Sequence, residues 1–524
     1  MKKLTAILLA AVLLLSLLAG CSQKDEQNGG QKPENNGGGQ GEDVQQPEAS
    51  GRDSMTIALV ADVGTFDPYV ASQDQELSLA RNLYDSLTWL VAGQSEPTMR
   101  IAEKYEVNDE GTEYLFTLRD NVYFHNGEKL TVDDVLYSFE KFRAAPATMG
   151  FAAYIDTVEA VGDNQVKVTL LAPSGSFFES LNWLAIVPKA AHEAANGDFS
   201  TNPVGSGAYM LSSQTAGVQF EIKAFDQYYL GQPEIKTVTY KIIPDQSTVA
   251  VALQTGEIDY SKNVAFTAIP ELEKAENVDC GVRPTSSIFF VFLNTEIAPY
   301  DNALVRKAIN MVMDRDMCNT VMYESYGQTA DQMLSTSVFG HSEKLKGYDY
   351  DAEKAAELLA EAGYPGGAGF PPVTIETIEA YSRVAQVVQN GLSSIGIAAE
   401  IQVQEQNAFI GRALQGDVPF GILSIGLGGD ASAWSVMFKS GEQFNLARYS
   451  SGEFDALFDE AGSERDSARR LELYEQAFTI LEDEAVWVPL LYVSICHGWN
   501  SAFDVDRALE VGDNNIQPFY VTAK

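Results

Sequence analysis

The sequence predicts an α/β protein built of several lobes. Two-residue alternation and helical stripes recur side by side along the whole body. About 500 residues follow the N-terminal leader, too many for one small core. No fixed repeat runs through the chain, which argues against a solenoid.

The strands are read from alternation. Tyr114, Phe116 and Leu118 are apolar with polar residues between, as are Val166, Val168 and Leu170, and Val238, Tyr240 and Ile242. The helices are read from caps and stripes. Thr131 with Asp134 forms a capping pair ahead of Val135, Leu136 and Phe139. Asn302 caps a helix carrying Val305, Ala308, Ile309 and Val312. Asp351 opens a helix through Leu358 and Leu359, stopped by Gly363 and Pro365. Val384, Val387, Val388, Leu392 and Ile395 form one stripe of a helix over 383–395, ending at Gly396. A helix from about Ser467 to Glu484 precedes a strand, Val486 to Val493.

The first fifty residues are of another kind. Lys2 and Lys3 precede an apolar run from Leu4 to Leu18, the layout of a secretory signal over 1–20. The run is shorter than the roughly 20 residues a membrane span needs. Leu18-Ala19-Gly20-Cys21 resembles the bacterial lipobox, which implies lipidation of Cys21; the alternative is an ordinary signal peptide with a chance cysteine. Residues 21–54 hold the anchor and a Gly, Asn, Gln and Glu tether with too little apolar surface to fold. A lipid-anchored body on the outer face of the cytoplasmic membrane is expected, at a Gram-positive surface rather than in a periplasm.

The formal net charge of −38, or −40 once Lys2 and Lys3 leave with the leader, repels phosphate backbones and excludes nucleic acid as a partner. Cys280, Cys318 and Cys496 are widely spaced with no CxxC pair, so a zinc knuckle is unsupported; one disulfide among them stays open. Catalytic signatures are missing too. There is no G-x-S-x-G and no Walker A loop. His192-Glu193 begins like H-E-x-x-H, but Asn196 stands where the second ligand is needed. His125, His192, His341 and His497 are the only histidines, none at ligand spacing from another. No cofactor, metal or enzymatic activity is expected, although a carboxylate pair of an extracellular hydrolase is not ruled out by counting.

Several segments resemble the large extracellular solute-binding family, family 5, that serves peptide, dipeptide and nickel ABC importers. Thr65-Phe66-Asp67-Pro68 and Tyr84-Asp85-Ser86-Leu87 come first. The stretch from Tyr105 to Phe142, YEVNDEGTEYLFTLRDNVYFHNGEKLTVDDVLYSFEKF, is the most specific. Asn202 to Tyr209, Ile243-Pro244-Asp245, Ala252 to Asp259, Phe292 to Thr295, Val305 to Arg315 and Leu358 to Pro365 follow in family order. Most of these words read as scaffold. Asn108 to Gly111 and His125-Asn126-Gly127 are turns, so His125 is a turn residue rather than a metal ligand. Pro203, Gly205 and Gly207 bend the chain between lobes.

The resemblance implies a periplasmic-binding-protein-like α/β fold of the class II, cluster C type. Residues 55–88, 202–299 and 496–524 would form lobe I, 89–201 an inserted lobe II and 300–495 lobe III, with a ligand in the hinged cleft. A monomer that hands a peptide-like ligand to ABC permease subunits is the expected partner arrangement. Relatives take a peptide ammonium on an aspartate in a Gly-rich loop, matched here by Asp430 after Gly428 and Gly429. The usual following Asp-Pro is replaced by Ala433-Trp434, which puts an ordinary dipeptide pocket in doubt. Trp434 is either a stacking wall or a core residue. Arg383 falls where relatives grip a carboxylate, a task suited to its planar fork; a plain surface arginine is the alternative. Ser72 and Gln73 lie in the segment, Ala71 to Asp74, that runs beside ligand backbone in relatives. A sugar site would instead use Trp89, Trp183 and Trp434. A nickel chelate is disfavoured by the scarcity of histidine, and an adhesin would lack a closing cleft.

Overall fold

The computed structural model describes residues 52–512 and 515–524, so the leader, Cys21 and nearly all of the tether lie outside the described residues. The alternating segments are strands, Glu113–Leu118, Gln165–Leu170 and Thr237–Ile242. The capped segments are helices. Val132–Ala144 opens on the Thr131–Asp134 capping box, and Asn302 and Asp351 cap Ala303–Met311 and Ala352–Glu361.

One 11-stranded sheet runs through the molecule, its short strand Gln328–Thr329 pairing only with Trp487–Asn500. Its centre is a pair of long antiparallel strands, Val278–Leu293 and Trp487–Asn500. On one half of this pair sit Phe420–Ile425, Val373–Ile378 and Ala399–Gln404. On the other sit Tyr260–Ser261, Ser54–Leu59, Thr237–Ile242, Gln219–Ala224 and Tyr209–Thr215. A separate four-stranded antiparallel sheet, Ala102–Val107, Glu113–Leu118, Gln165–Leu170 and Ile155–Val161, belongs to the inserted segment.

The buried apolar residues divide where the two long strands change partners. One core lies between Ile288 and Tyr492. Another gathers residues 55–240 with Tyr260 and residues 503–521. The register slips between them: Pro284 pairs with Ser494 and Ile288 with Tyr492, so Thr285, Ser286 and Ser287 bulge opposite Val493. Ile288–Leu293 share a core with residues up to Tyr492, and the strand expected to end at Val493 runs on past the bulge to Asn500. Buried residues of the segment 89–201 share a core with those of Ser54–Leu59, Tyr209–Thr215 and Thr237–Ile242.

Two local expectations also resolve. Gly205 and Gly207 have ordinary negative φ; a Cβ on either would overlap the carbonyl end of the helix Asp74–Leu83, so close approach is what requires glycine there. Cys280, Cys318 and Cys496 are all unbridged. Cys280 lies diagonally across the long strand pair from Cys496, with Val282 directly opposite Cys496. Diagonal positions stand about 7–8 Å apart, beyond comfortable disulfide reach. No described helix is long and apolar enough to cross a membrane.

Candidate ligand-binding site

Strand direction places the site. In the third lobe Val373–Ile378 runs parallel to Phe420–Ile425, and Ile425 lies opposite Ile288 beside the bulge. The carboxyl ends of both strands therefore face the junction. In the first lobe Ser54–Leu59 is parallel to Tyr260–Ser261, which meets Trp499 and Gly498, with the later residue nearer the bulge. Its carboxyl end faces the same junction from the other side. Loops leaving the carboxyl ends of parallel strands are where open α/β sheets bind ligands. The loop 60–73, carrying Ser72 and Gln73, leaves one edge. Gly426–Trp434 and, five residues past Ile378, Arg383 leave the other.

The two sides are differently equipped. The backbone N–H groups of Ser72 and Gln73 both donate to Glu76 Oε2, at 2.9 and 3.0 Å, and Gly64 N–H donates to its Oε1. The segment expected to run beside a ligand thus spends these donors on the capping box of the helix Asp74–Leu83. Arg383 is exposed on the first turn of the helix Ser382–Ser394, and its side chain makes no hydrogen bond or ion pair among the described residues.

Asp430 is buried and already engaged. Its Oδ1 accepts from Ser432 N–H at 2.8 Å and Ser432 Oγ at 2.6 Å, and from Arg470 Nη2 at 2.5 Å. Arg470, equally buried, donates Nε to Ala461 O and lies over the rings of Phe339 and Tyr474. Burial disfavours its charge, but Asp430 and Tyr474 more than offset that and hold the guanidinium above its ordinary pKa. Nothing in the sequence pattern singled out Arg470. It lies forty residues past Asp430 on a helix whose other buried positions are apolar or Tyr474. The loop is pinned from behind by a strand-like bridge: Phe339 N–H donates to Gly429 O and Ala431 N–H to Phe339 O.

Gly428 and Gly429 meet the inserted lobe. Gly429 N–H donates to Glu179 Oε1 at 2.5 Å, and Gly428, at φ +127°, leaves no room for a Cβ beside that carboxylate. Glu179 is another participant that the sequence pattern did not mark.

The tryptophans are occupied. Trp434 is fully buried, stacks on Phe438 and donates Nε1 to Gly428 O. The Arg81 guanidinium lies 5.0 Å from the ring centroids of both Trp89 and Trp183, and Trp183 stacks its ring on Phe151. His125 stays in its turn, facing Gly205 N–H and Gly207 O, and no described cluster of His, Cys, Asp and Glu could hold a metal.

The family model of the bacterial extracellular solute-binding proteins, family 5 (middle), matches residues 96–445. Heme-binding protein A of Haemophilus influenzae is 26% identical over 535 residues, 94% of each chain. Glutathione-binding protein GsiB of Escherichia coli (strain K12) is 28% identical over 459 residues, 83% of this chain and 88% of that one. The solved structure of the periplasmic binding protein DppA from Helicobacter pylori, in complex with the peptide STSA, superposes with a TM-score of 0.69 at 26% identity. It covers 90% of this chain and 98% of DppA.

Proposed function

The chain belongs to family 5 of the bacterial extracellular solute-binding proteins, substrate-binding components of ABC importers, and from that premise we propose that it captures a short peptide-like ligand between its first and third lobes and delivers it to a permease. One observation carries the reading. Two α/β bodies with separate cores are joined in one sheet by two strands that bulge at the crossing, and the carboxyl edges of both bodies face that crossing. Such a connection permits hinge closure on a guest.

The ligand lies against the Gly428–Gly429 loop on one side and Ser72–Gln73 on the other. Arg383, exposed and without an ionic partner, is the cation offered to a ligand carboxylate. Asp430 acts through Arg470, its buried counterion, and Trp434 supports the loop from the core. The protein binds and releases rather than transforms its cargo, as a monomer anchored through Cys21 on the outer face of the membrane. The relatives named for glutathione and for peptide binding favour a peptide cargo. The occupied faces of Trp89, Trp183 and Trp434 disfavour a sugar.

A thermal-shift screen of dipeptides, tripeptides including glutathione, oligosaccharides and nickel chelates tests this. A ligand at 100 times its dissociation constant adds about 2.7 kcal/mol. Stabilisation by sugars or chelates alone would refute the peptide reading.

A further inference from the structure

The inserted lobe does more than decorate the first lobe: it touches the third. Arg465 Nη1 donates to Asn108 O at 2.9 Å and Asp109 O at 3.2 Å, in the turn between two strands of the inserted sheet. Gly175 N–H donates to Gly462 O at 2.9 Å, and Arg470 Nη1 reaches Gly175 O at 3.4 Å. Glu179 Oε1 accepts from Gly429 N–H. These contacts join parts that belong to different cores, so they exist only while the two bodies are brought together.

Arg470 is the shared member. Its guanidinium joins Asp430 of the Gly-rich loop, Ala461 O near the end of the helix Gly452–Ser463, and Gly175 O of the inserted lobe. The fit at Gly175 is close enough that a Cβ there would overlap the guanidinium. Gly175 has no positive φ, so the conformation of its own backbone does not require glycine. The neighbouring arginine is what a larger residue would strike.

We propose that Arg470 is a positioning residue for closure: Asp430 holds the arm, Gly175 receives it, and Glu179 takes the Gly429 N–H of the adjoining loop when the inserted lobe meets the third lobe. The proposal rests on the reading of a hinged binding protein and adds where its closed state is held. Closed-state contacts away from the ligand set the fraction of binding-competent protein, and apparent affinity scales with that fraction. A family member with a weaker latch would hold the same ligand less tightly through faster release.

The test uses spin labels at Val161→Cys in the inserted lobe and Val403→Cys in the third lobe, both exposed positions. Cys280→Ser removes the half-buried native thiol. Pulsed-EPR distance distributions are recorded with and without saturating glutathione or the tightest peptide of the screen. Gly175→Ala and Glu179→Ala are each expected to lengthen the distance distribution and to weaken peptide binding about fivefold or more. The loss is expected in the dissociation rate, with the melting temperature of the ligand-free protein unchanged. Distributions identical to the parent in both variants overturn the latch. If no compound of the screen binds while Gly175→Ala still lengthens the distance, the peptide reading fails and the latch stands.

Discussion

Arg470 donates Nη2 to Asp430 Oδ1 at 2.5 Å with both side chains almost wholly buried. The carboxylate that family resemblance marks for a ligand's ammonium therefore already neutralises a cation of the protein itself. A ligand ammonium at this position would have to share Asp430 with Arg470.

This pair makes Asp430 a stability residue. Removing one partner of a buried ion pair leaves the other uncompensated, at about 3–5 kcal/mol. Asp430→Ala is expected to lower the unfolding free energy by that amount in urea titrations. Combining it with Arg470→Met is expected to restore most of the loss, because two apolar residues leave no unpaired charge. A single variant as stable as the parent would show that Arg470 finds another partner.

Stability is expected to fall on mild acidification. Burial pushes the imidazole of His125 down to about 4, and burial, with Lys262 and Arg283 nearby, pushes His497 down to about 3. Both stay neutral in the folded protein at a pH where the unfolded chain takes up protons near 6.5. The unfolded state then binds more protons, so stability drops as pH falls from 6.5 to 5, by about 1.5 kcal/mol for each histidine. His497→Gln should halve that slope in urea titrations at several pH values. Asp85 and Asp259, whose carboxyls burial raises, act in the opposite sense but equally in parent and variant, so the difference between the two slopes is what reports His497. An unchanged slope would show that His497 takes up its proton in the fold as readily as in the unfolded chain.

The three cysteines of the described body should differ in reactivity. Burial raises all three thiols, those of Cys318 and Cys496 up to about 12, but Cys280 is only half-buried. Maleimide labelling at pH 8 followed by mass spectrometry should modify Cys280 first and the other two only in denaturant. A missing thiol under denaturing, non-reducing conditions would indicate a disulfide that this structure does not contain.

The stack of Trp89, Arg81 and Trp183 should be energetically real. Arg81→Met keeps the apolar stem and removes the cation; cation–π contacts of this kind contribute about 0.5–2 kcal/mol. A loss in that range, with a red shift of tryptophan fluorescence as the rings gain water, is expected. If the substitution leaves both signals unchanged, the ring faces are available to ligands after all.

Much of this architecture was legible in the residues. The capping pair Thr131–Asp134 and the stripe from Val384 to Leu392 depend on neighbours three and four positions away, and they appear where the pattern put them. What stayed hidden depends on long-range pairing. The strand at 487–500 looked finished at Val493 because its continuation, Ser494 to Asn500, mixes polar and apolar residues; its partner across the bulge holds it. The Arg470–Asp430 pair and the Glu179–Gly429 contact bridge 40 and 250 positions, distances at which a single sequence shows no periodic signal. Arg383 is marked in the sequence by its place in the chain alone, and in the fold its side chain is exposed.

A crystal structure grown with the tightest peptide of the screen puts the central claim to its most direct test. Density for the peptide is expected at the crossing of the two long strands, between Ser72–Gln73 and the Gly428–Gly429 loop, with its carboxylate toward Arg383. A peptide bound on the outer face of either lobe, or the same two bodies held at a fixed angle with no room between them, would contradict the account.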